Sequence, residues 1–168
     1  MPANKLCPDL ELVAENTRGL WDELRGEHLF LTGGTGFFGC WLLESFCFVN
    51  KLLTLRSKAT ILTRNPEAFA QKCPHLISDP AVNLCFGDVR NFSFPEGTYS
   101  FIIHAAGDAR RQEALENPLQ MLSTMIGGAE RILQFAATHG AKKFLLASSG
   151  AVYGTQPADV THVPESYM

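Results

Sequence analysis

The sequence predicts an α/β fold, in which a doubly wound parallel sheet of five strands is covered by helices. Short apolar segments typical of buried strands alternate with longer segments of helical period along the 168 residues. Four glycines lie at residues 33–39, where the first of these strands gives way to the helix after it. Because parallel strands need crossover connections, the alternation itself favours a parallel sheet.

The five predicted strands are apolar and bounded by turn residues. They lie at 28–32, 59–63, 81–86, 99–107 and 142–149. The predicted helices lie at 9–25, 37–49, 66–73 and 118–139. The second helix is apolar nearly all round, which predicts deep burial against the sheet. The last begins with Asn117 as the N-cap and Pro118 at its first position, and Gly140 follows its end.

The composition is that of a globular protein, with 46% hydrophobic and 18% charged residues. A net charge of −3 gives no electrostatic case for nucleic acid or an anionic membrane as a partner. The five cysteines form no C-x-x-C pair, and the N-terminus lacks the pattern of a secretion signal. We therefore expect free thiols and a cytoplasmic location. No metal is expected, because Cys73, His75, Cys85 and Asp88 match no common site.

The glycines at 33, 36 and 39 fit the pattern G-x-x-G-x-x-G between a strand and a helix. In a dinucleotide site the first permits a tight turn, the second lets phosphate approach, and the third lets helix and strand pack closely. The unpaired N–H groups of a helix start suit a diphosphate. A plain tight turn is the alternative explanation, but the position after the first strand favours a Rossmann-type dinucleotide site.

Four motifs occur in order: TGGTGFFG at 32–39, GDVR at 87–90, HAAG at 104–107 and SSGAVYG at 148–154. Together they resemble the extended short-chain dehydrogenase/reductase family, in its NAD-dependent epimerase/dehydratase group. The resemblance covers residues 28 to about 156. It implies a nucleotide-sugar epimerase or 4-ketosugar reductase that transfers a hydride at a sugar carbon. The implied domains are an N-terminal helical extension at 1–27, a dinucleotide-binding domain at 28–156, and the start of a C-terminal region at 157–168.

The resemblance also implies the residues that bind the cofactor. Those expected to hold the diphosphate are Gly33, Gly36, Phe37, Phe38 and Gly39. Asp88 would accept a hydrogen bond from the adenine amino group, although an ordinary turn also explains it, and Val89 would pack beside the ring. The segment expected to pass along the cofactor is Ala105, Ala106 and Gly107.

The choice between NAD and NADP depends on the end of the second strand. An acid there would bind a ribose 2′-hydroxyl and favour NAD, but this stretch reads LTRNP, with Arg64 and no carboxylate before Glu67. The Arg64 guanidinium can pair with a 2′-phosphate, which favours NADP. The alternative is that Arg64 is a solvated surface cation.

The family resemblance implies catalysis by a serine or threonine, a tyrosine and a lysine. Ser149 matches the serine, with Ser148 the second choice and a structural capping role the alternative. Neither Tyr153 nor Tyr167 begins a Y-x-x-x-K motif. We therefore expect the N-terminal portion of a longer enzyme, with little or no turnover as these 168 residues.

The positions after Ser149 narrow the reaction. In dehydratases of this group they carry Asp-Glu, because elimination of water needs an additional acid and base. Here they are Gly150 and Ala151, which disfavours dehydration and decarboxylation. Two alternatives remain open: a reductase of a non-sugar carbonyl, and a non-catalytic protein that senses the dinucleotide.

The helix at 118–139 carries two apolar stripes. One contains Leu119, Leu122, Ile126, Ala129, Leu133 and Ala136, and the other contains Met121, Met125, Gly128, Ile132 and Phe135. One stripe can cover the sheet. The other is buried either within the same domain or against a second subunit, and the resemblance implies a homodimer through this helix.

Overall fold

The sheet has five parallel strands in the order β3-β2-β1-β4-β5. Their bounds are β1 His28–Thr32, β2 Lys58–Thr63, β3 Val82–Phe86, β4 Phe101–His104 and β5 Lys143–Leu146. They come from a computed structural model that describes residues 6–107, 115–156 and 160–167. The predicted Rossmann-type, doubly wound sheet is confirmed. The predicted strands at 99–107 and 142–149 were too long, because the chain leaves the sheet soon after His104 and Leu146.

The strand order places a crossover beside the central strand. Along the chain, β2 and β3 extend the sheet on one side of β1, and β4 and β5 extend it on the other. Leu31 of β1 is paired with Ile61 of β2 and with Ile103 of β4. At such a switch point the connections leave in opposite directions, and a crevice opens at the carboxyl ends of the strands.

Helices cover both faces of the sheet. Their bounds are α1 Cys7–Asn16, α2 Phe37–Leu52, α3 Pro66–Lys72, α4 Pro74–Ile77 and α5 Pro118–Thr138, and short 3₁₀ helices lie at Trp21–Leu24 and Gly150–Tyr153. Successive β1 side chains point to opposite faces. Leu31 therefore packs with Phe46 of α2, whereas Phe30 packs with Phe135 of α5.

Helix α2 is buried along one face only. Leu43, Phe46 and Val49 are fully buried against the sheet. Phe37 and Phe38 of the first turn are 72% and 75% exposed. The prediction of deep burial was wrong for this turn, because it projects beyond the end of the sheet.

The N-terminal segment is not the single helix predicted at 9–25. Helix α1 ends at Asn16, and Gly19 has a φ of +89°, a conformation that ends a right-handed helix. Trp21 then folds back, with its indole Nε1 donating to Thr17 Oγ1 at 2.6 Å. Residues 1–5 of the predicted extension lie outside the described residues, as do 157–159 and 168 of the predicted C-terminal region.

The predicted helix at 66–73 ends at Lys72, and a second short helix, α4, follows it. Cys73 has φ −134° and ψ 62°, outside the helical region, and α4 begins at Pro74. Proline disfavours the helical conformation in the residue before it, which explains the break. Asn65 caps α3 by accepting the Ala68 N–H at 2.9 Å.

Helix α5 uses one of its two apolar stripes to cover the sheet. Ile132 and Phe135 are fully buried, and Gly128 packs on Val89. The exposed members of the other stripe are Leu119, Leu122, Ile126 and Leu133, at 80%, 52%, 60% and 53%. Gly140 follows the helix with a φ of +75°, and Asn117 is the N-cap as predicted, although its side chain makes no capping hydrogen bond.

Candidate functional site

A cleft of about 250 Å³ opens at the carboxyl ends of β1, β2 and β4. Eight residues predicted to bind the cofactor line it: Gly33, Gly36, Arg64, Asp88, Val89, Ala105, Ala106 and Gly107. The switch point of the sheet therefore brings together residues that are up to 74 positions apart in the chain. Four other predicted residues, Phe37, Phe38, Gly39 and Ser149, are not among the lining residues.

Gly33 holds the glycine loop directly against the end of β4. Its φ is +73°, and a Cβ at this position would collide with the Ala105 carbonyl oxygen and lie 2.7 Å from the Ala106 nitrogen. Both the backbone conformation and the contact exclude a larger residue. The turn that Gly33 makes is what allows the chain to cross from β1 to the start of α2.

Gly36 and Gly39 face different surroundings. Gly39 is buried, and its Cβ would collide with the Gly33 carbonyl oxygen and lie 2.6 Å from the Gly34 carbonyl carbon. Gly36 is exposed, with an ordinary φ of −77°, and its Cβ would meet only the Gly33 oxygen at 3.3 Å. The fold therefore requires Gly39 for packing, whereas at Gly36 it leaves space that opens into the cleft.

The start of α2 offers hydrogen-bond donors to this space. Gly36 is the N-cap and supplies no side chain, and the Cys40 N–H is accepted by the Gly36 oxygen at 3.0 Å. The N–H groups of Phe37, Phe38 and Gly39 precede that bond and have no helical carbonyl to meet. With the positive end of the helix dipole, they suit an anionic group such as a diphosphate. The rings of Phe37 and Phe38 are exposed to solvent, so these two residues can contribute to anion binding through their backbone N–H groups.

Asp88 is held by a two-pronged interaction with Arg90. Arg90 donates from Nε to Asp88 Oδ1 at 2.7 Å and from Nη2 to Oδ2 at 3.0 Å, and its backbone N–H also donates to Oδ1. The hydrogen bonds from Arg90 lower the pKa of Asp88, and the positive charge of Arg64 acts in the same direction. Asp88 therefore faces the cleft as an oriented, ionised acceptor. Next to it, Val89 lines the cleft while its side chain packs on Gly128.

Arg64 lies immediately after β2, beside the cleft and exposed to solvent. The positive charge of Arg64 contributes to lowering the pKa of Asp88. The cleft is therefore lined by both a cationic and an anionic side chain. A guanidinium in this position can meet an anionic group without desolvating a buried charge.

A polar pair below the cleft orients the segment after β4, and sequence reasoning did not single it out. The Thr32 hydroxyl accepts the Ala106 N–H at 3.1 Å and shares a 2.6 Å hydrogen bond with His104 Nδ1. His104 is 3% exposed, and burial lowers its pKa, so the neutral ring is favoured. His104 is thus a packed strand residue, as its place within the apolar segment IIHAAG suggests.

The first turns of α5 form a wall of the cleft that was also not predicted. Asn117, Gln120, Met121 and Thr124 line it, at the i, i+3, i+4 and i+7 spacing of one helix face. Three polar residues at this spacing were a usable signal. The same helix also carries two longer apolar stripes, and these predicted packing rather than a polar wall of a cleft.

Ser149 lies at the end of β5, on the exposed edge of the described sheet. It is the N-cap of the 3₁₀ helix Gly150–Tyr153, and its Oγ accepts the Ala151 N–H at 3.2 Å. This is the capping role considered as an alternative for this residue. The hydroxyl proton is still available for donation to another acceptor.

The described residues contain no group of three or more His, Cys, Asp or Glu side chains arranged to hold a metal ion. None of the helices within 6–107, 115–156 and 160–167 is long and apolar enough to cross a bilayer.

Similar structures have the same fold. The UDP-Glc/GlcNAc 4-epimerase of Campylobacter jejuni superposes with a TM-score of 0.67 at 19% identity, over 85% of this chain and 43% of that one. The UDP-glucose 4-epimerase of Stenotrophomonas maltophila, solved with bound NAD and formylated UDP-arabinopyranose, superposes with a TM-score of 0.62 at 19% identity, over 83% and 41%. At these identities the likeness shows the fold alone.

Curated relatives lead to the same group of proteins. A UDP-glucose 4-epimerase of Rickettsia canadensis is 29% identical over 83% of this chain and 41% of its own length. UDP-glucose 4-epimerase 2 of rice is 27% identical over 76% and 32%. This chain therefore spans about a third to two fifths of the length of these relatives. Residues 29–167 match the NAD dependent epimerase/dehydratase family, and the chain belongs to that family.

Proposed function

We propose that this chain is the dinucleotide-binding portion of a nucleotide-sugar epimerase. The observation that carries the proposal is the cleft at the switch point, where Gly36 leaves space in front of the open N–H groups of α2. Epimerisation is favoured over 4-ketosugar reduction because the curated relatives are UDP-glucose 4-epimerases.

The residues present fit a nicotinamide dinucleotide. The N–H groups of Phe37 and Phe38 would bind the diphosphate, and any side chain at Gly36 would hold it away from them. Asp88 would accept a hydrogen bond from the adenine amino group, because each of its oxygens can accept more bonds than Arg90 supplies. The segment Ala105, Ala106 and Gly107, fixed to Thr32, would form the opposite wall.

Arg64 is proposed to select between the two nicotinamide dinucleotides. Its guanidinium lies at the end of β2, where a 2′-phosphate would be placed, and the segment 60–66 holds no carboxylate to bind a 2′-hydroxyl. Bidentate pairing with the phosphate favours NADP. NAD would bind through the same diphosphate and adenine contacts, without the contribution of Arg64.

The bound dinucleotide would supply the hydride acceptor and donor for chemistry at a sugar carbon. Ser149 would donate its hydroxyl proton to the reacting oxygen. No tyrosine of this chain begins a Y-x-x-x-K motif, so the residues that exchange the substrate proton in the family pattern are absent from this sequence. We therefore propose that the 168 residues alone have little or no turnover.

The partner surface is proposed to be the exposed stripe of α5. Leu119, Leu122, Ile126 and Leu133 are each more than half exposed, on a helix whose opposite side packs on the sheet. A second copy of the protein would bury this stripe, which makes a homodimer the proposed assembly. The free thiols and the family support a cytoplasmic location.

The second candidate is a non-catalytic protein that binds the dinucleotide as a signal. Ser149 favours it, because its oxygen already caps the Ala151 N–H and it does not line the cleft. Both candidates use the same cofactor site. They differ in what they predict for a longer protein that also carries the remaining part of the family fold. The enzyme would turn over substrate, and the sensor would not.

A fluorescence titration with NADH and NADPH tests the cofactor site. We expect saturable binding to one site per chain, and its loss in the variant Gly36→Val. Addition of UDP-glucose or UDP-galactose to the chain loaded with the oxidised dinucleotide, NAD or NADP, should give no interconversion. Absence of binding would contradict the proposed function, and interconversion would contradict the proposed inactivity. Interconversion by a longer form carrying Y-x-x-x-K would favour the enzyme over the sensor.

A further inference from the structure

Two cysteines from different elements meet beside the glycine loop. Cys40 lies in the first turn of α2, directly after Gly39, and Cys73 joins α3 to α4. Their sulfur atoms are 3.9 Å apart, although the residues are separated by 33 positions. Both thiols are free in the structure.

Both cysteines are linked to the loop that precedes α2. The Cys40 thiol lies 3.8 Å from the Gly34 oxygen and 3.7 Å from the Thr35 oxygen, within hydrogen-bond range for sulfur. Lys72, next to Cys73, donates from Nζ to the same Thr35 oxygen at 2.8 Å. A displacement of either cysteine therefore acts on the loop that lines the cleft.

We propose that Cys40 and Cys73 form a reversible disulfide on exposure to peroxide, and that this disulfide weakens dinucleotide binding. The sulfur atoms must approach from 3.9 Å to about 2.05 Å. Side-chain rotation and a small movement of the first turn of α2 can supply this. Disulfides in reducing compartments are usually transient and redox-sensing, so the pair suits a switch rather than a permanent crosslink.

The oxidation proceeds in two balanced steps. The Cys40 sulfur, as the thiolate, attacks one peroxide oxygen; the O–O bond breaks, a sulfenic acid forms, and hydroxide leaves and takes up a proton. The Cys73 sulfur then attacks the sulfenic sulfur; the S–S bond forms, the S–O bond breaks, and the oxygen leaves as water with the proton of the Cys73 thiol. In total, two thiols are oxidised to one disulfide, and one peroxide is reduced to two waters.

The exposure of the two thiols indicates which of them reacts first with peroxide. Cys40 is partly exposed and can meet peroxide, whereas Cys73 is 8% exposed. Burial, and then the neighbouring Cys40 thiol, raise the pKa of Cys73, so it is less often a thiolate at neutral pH. Cys73 is therefore the resolving thiol, and its sulfur atom already lies near van der Waals contact with the Cys40 sulfur.

The disulfide removes the Cys40 S–H from the carbonyl groups of Gly34 and Thr35. It also draws the first turn of α2, with the N–H groups of Phe37 and Phe38 that are proposed to bind the diphosphate, toward α3. This consequence rests on the proposed dinucleotide site. A displacement of this size is expected to raise the Kd for the dinucleotide about tenfold.

The crosslink is tested on the whole chain by treatment with hydrogen peroxide, followed by thiol counting and peptide mapping without reductant. We expect five free thiols to become three, a mass lower by two hydrogens, and one crosslinked peptide pair that contains Cys40 and Cys73. Dithiothreitol should reverse all three. Cys40→Ser and Cys73→Ser should each abolish the crosslink, and the matched variant Cys85→Ser should retain it. Five remaining thiols, or a crosslink between other cysteines, would overturn the proposal.

Binding measurements on reduced and oxidised chain separate the two proposals. Weaker binding after oxidation, absent in Cys73→Ser, supports the switch. Equal binding by the reduced and crosslinked chain overturns the switch and leaves the proposed function standing. Failure of the reduced chain to bind either dinucleotide contradicts the proposed function, and the thiol count still reports on the crosslink.

Discussion

A Cβ atom on Gly33 would lie 2.7 Å from the backbone nitrogen of Ala106. The first loop of the fold therefore rests directly on the segment after β4, which Thr32 holds from below by accepting the Ala106 N–H. This contact joins the two sides of the switch point.

Gly33→Ala is expected to lower the free energy of unfolding by about 2–4 kcal/mol, because it combines a positive φ with a backbone collision. Urea unfolding followed by circular dichroism measures the change. A destabilisation below the error of that measurement would contradict the close contact between the loop and β4.

Gly36→Ala is the matched variant in the same loop. Its φ is −77° and its Cβ meets one atom at 3.3 Å, so we expect a change in unfolding free energy within about 1 kcal/mol. The added methyl group should nevertheless weaken NADH binding about tenfold or more, because it occupies the space in front of the α2 N–H groups. Unchanged affinity in this folded variant would place the diphosphate elsewhere.

Arg64→Ala is expected to reduce the affinity for NADPH about tenfold and to leave the affinity for NADH nearly unchanged, because only NADPH carries the 2′-phosphate. Calorimetric titration of both forms with each dinucleotide measures the difference. Lys51→Ala, an exposed cation in the last turn of α2 that does not line the cleft, is the control for loss of one positive charge. An equal effect on the two cofactors would show that Arg64 does not read the 2′-position.

Ile126→Lys is expected to dissociate the proposed dimer, because it places a charge in the exposed apolar stripe of α5. Gln134→Lys, on an exposed position of the same helix, adds the same charge and should leave the assembly unchanged. Sedimentation equilibrium over a range of concentrations gives the masses. A monomeric wild type would contradict the proposed interface, as would a dimer that survives Ile126→Lys.

The stability of the chain is expected to fall as the pH drops below about 6.5. Burial lowers the pKa of His104 below 6.5, and burial followed by the charge of Lys58 lowers that of His28. The unfolded state therefore takes up these protons first, and the stabilisation that is complete above 6.5 is lost as the pH falls toward the folded-state pKa.

Urea unfolding at a series of pH values tests this dependence. Each site contributes a slope of at most about 1.4 kcal/mol per pH unit. His104→Gln should remove its share of the slope, and His28→Gln should remove the other share. The same slope in wild type and in the double variant would assign the dependence to other groups.

Local patterns predicted the fold well where the elements are buried. β1, β2 and β3 lie within one residue of their predicted bounds, because buried parallel strands read as continuous apolar segments. Helix α5 begins as predicted and ends within one residue of the prediction, since Pro118 and Gly140 mark its ends chemically. The helix predicted at 9–25 was wrong beyond Asn16, because the apolar spacing continues through Gly19 whereas the helical backbone conformation does not.

The site was less accessible to sequence reasoning, because it depends on contacts between distant elements. The glycine motif could be found from its spacing, but the Thr32–His104 pair and the α5 wall appear only when β1, β4 and α5 are assembled. The side-chain hydrogen bonds from Arg90 to Asp88 could not be predicted either, because the motif GDVR does not specify a side-chain rotamer. The predicted domain boundaries at 27–28 and 156–157 remain predictions.

The most direct measurement is a crystal structure of the chain soaked with NAD, at a concentration that saturates the titration. We expect diphosphate oxygens within about 3.2 Å of the backbone nitrogens of Phe37 and Phe38, next to Gly36. A cleft that stays empty, or a dinucleotide bound away from the start of α2, would contradict the proposed dinucleotide site.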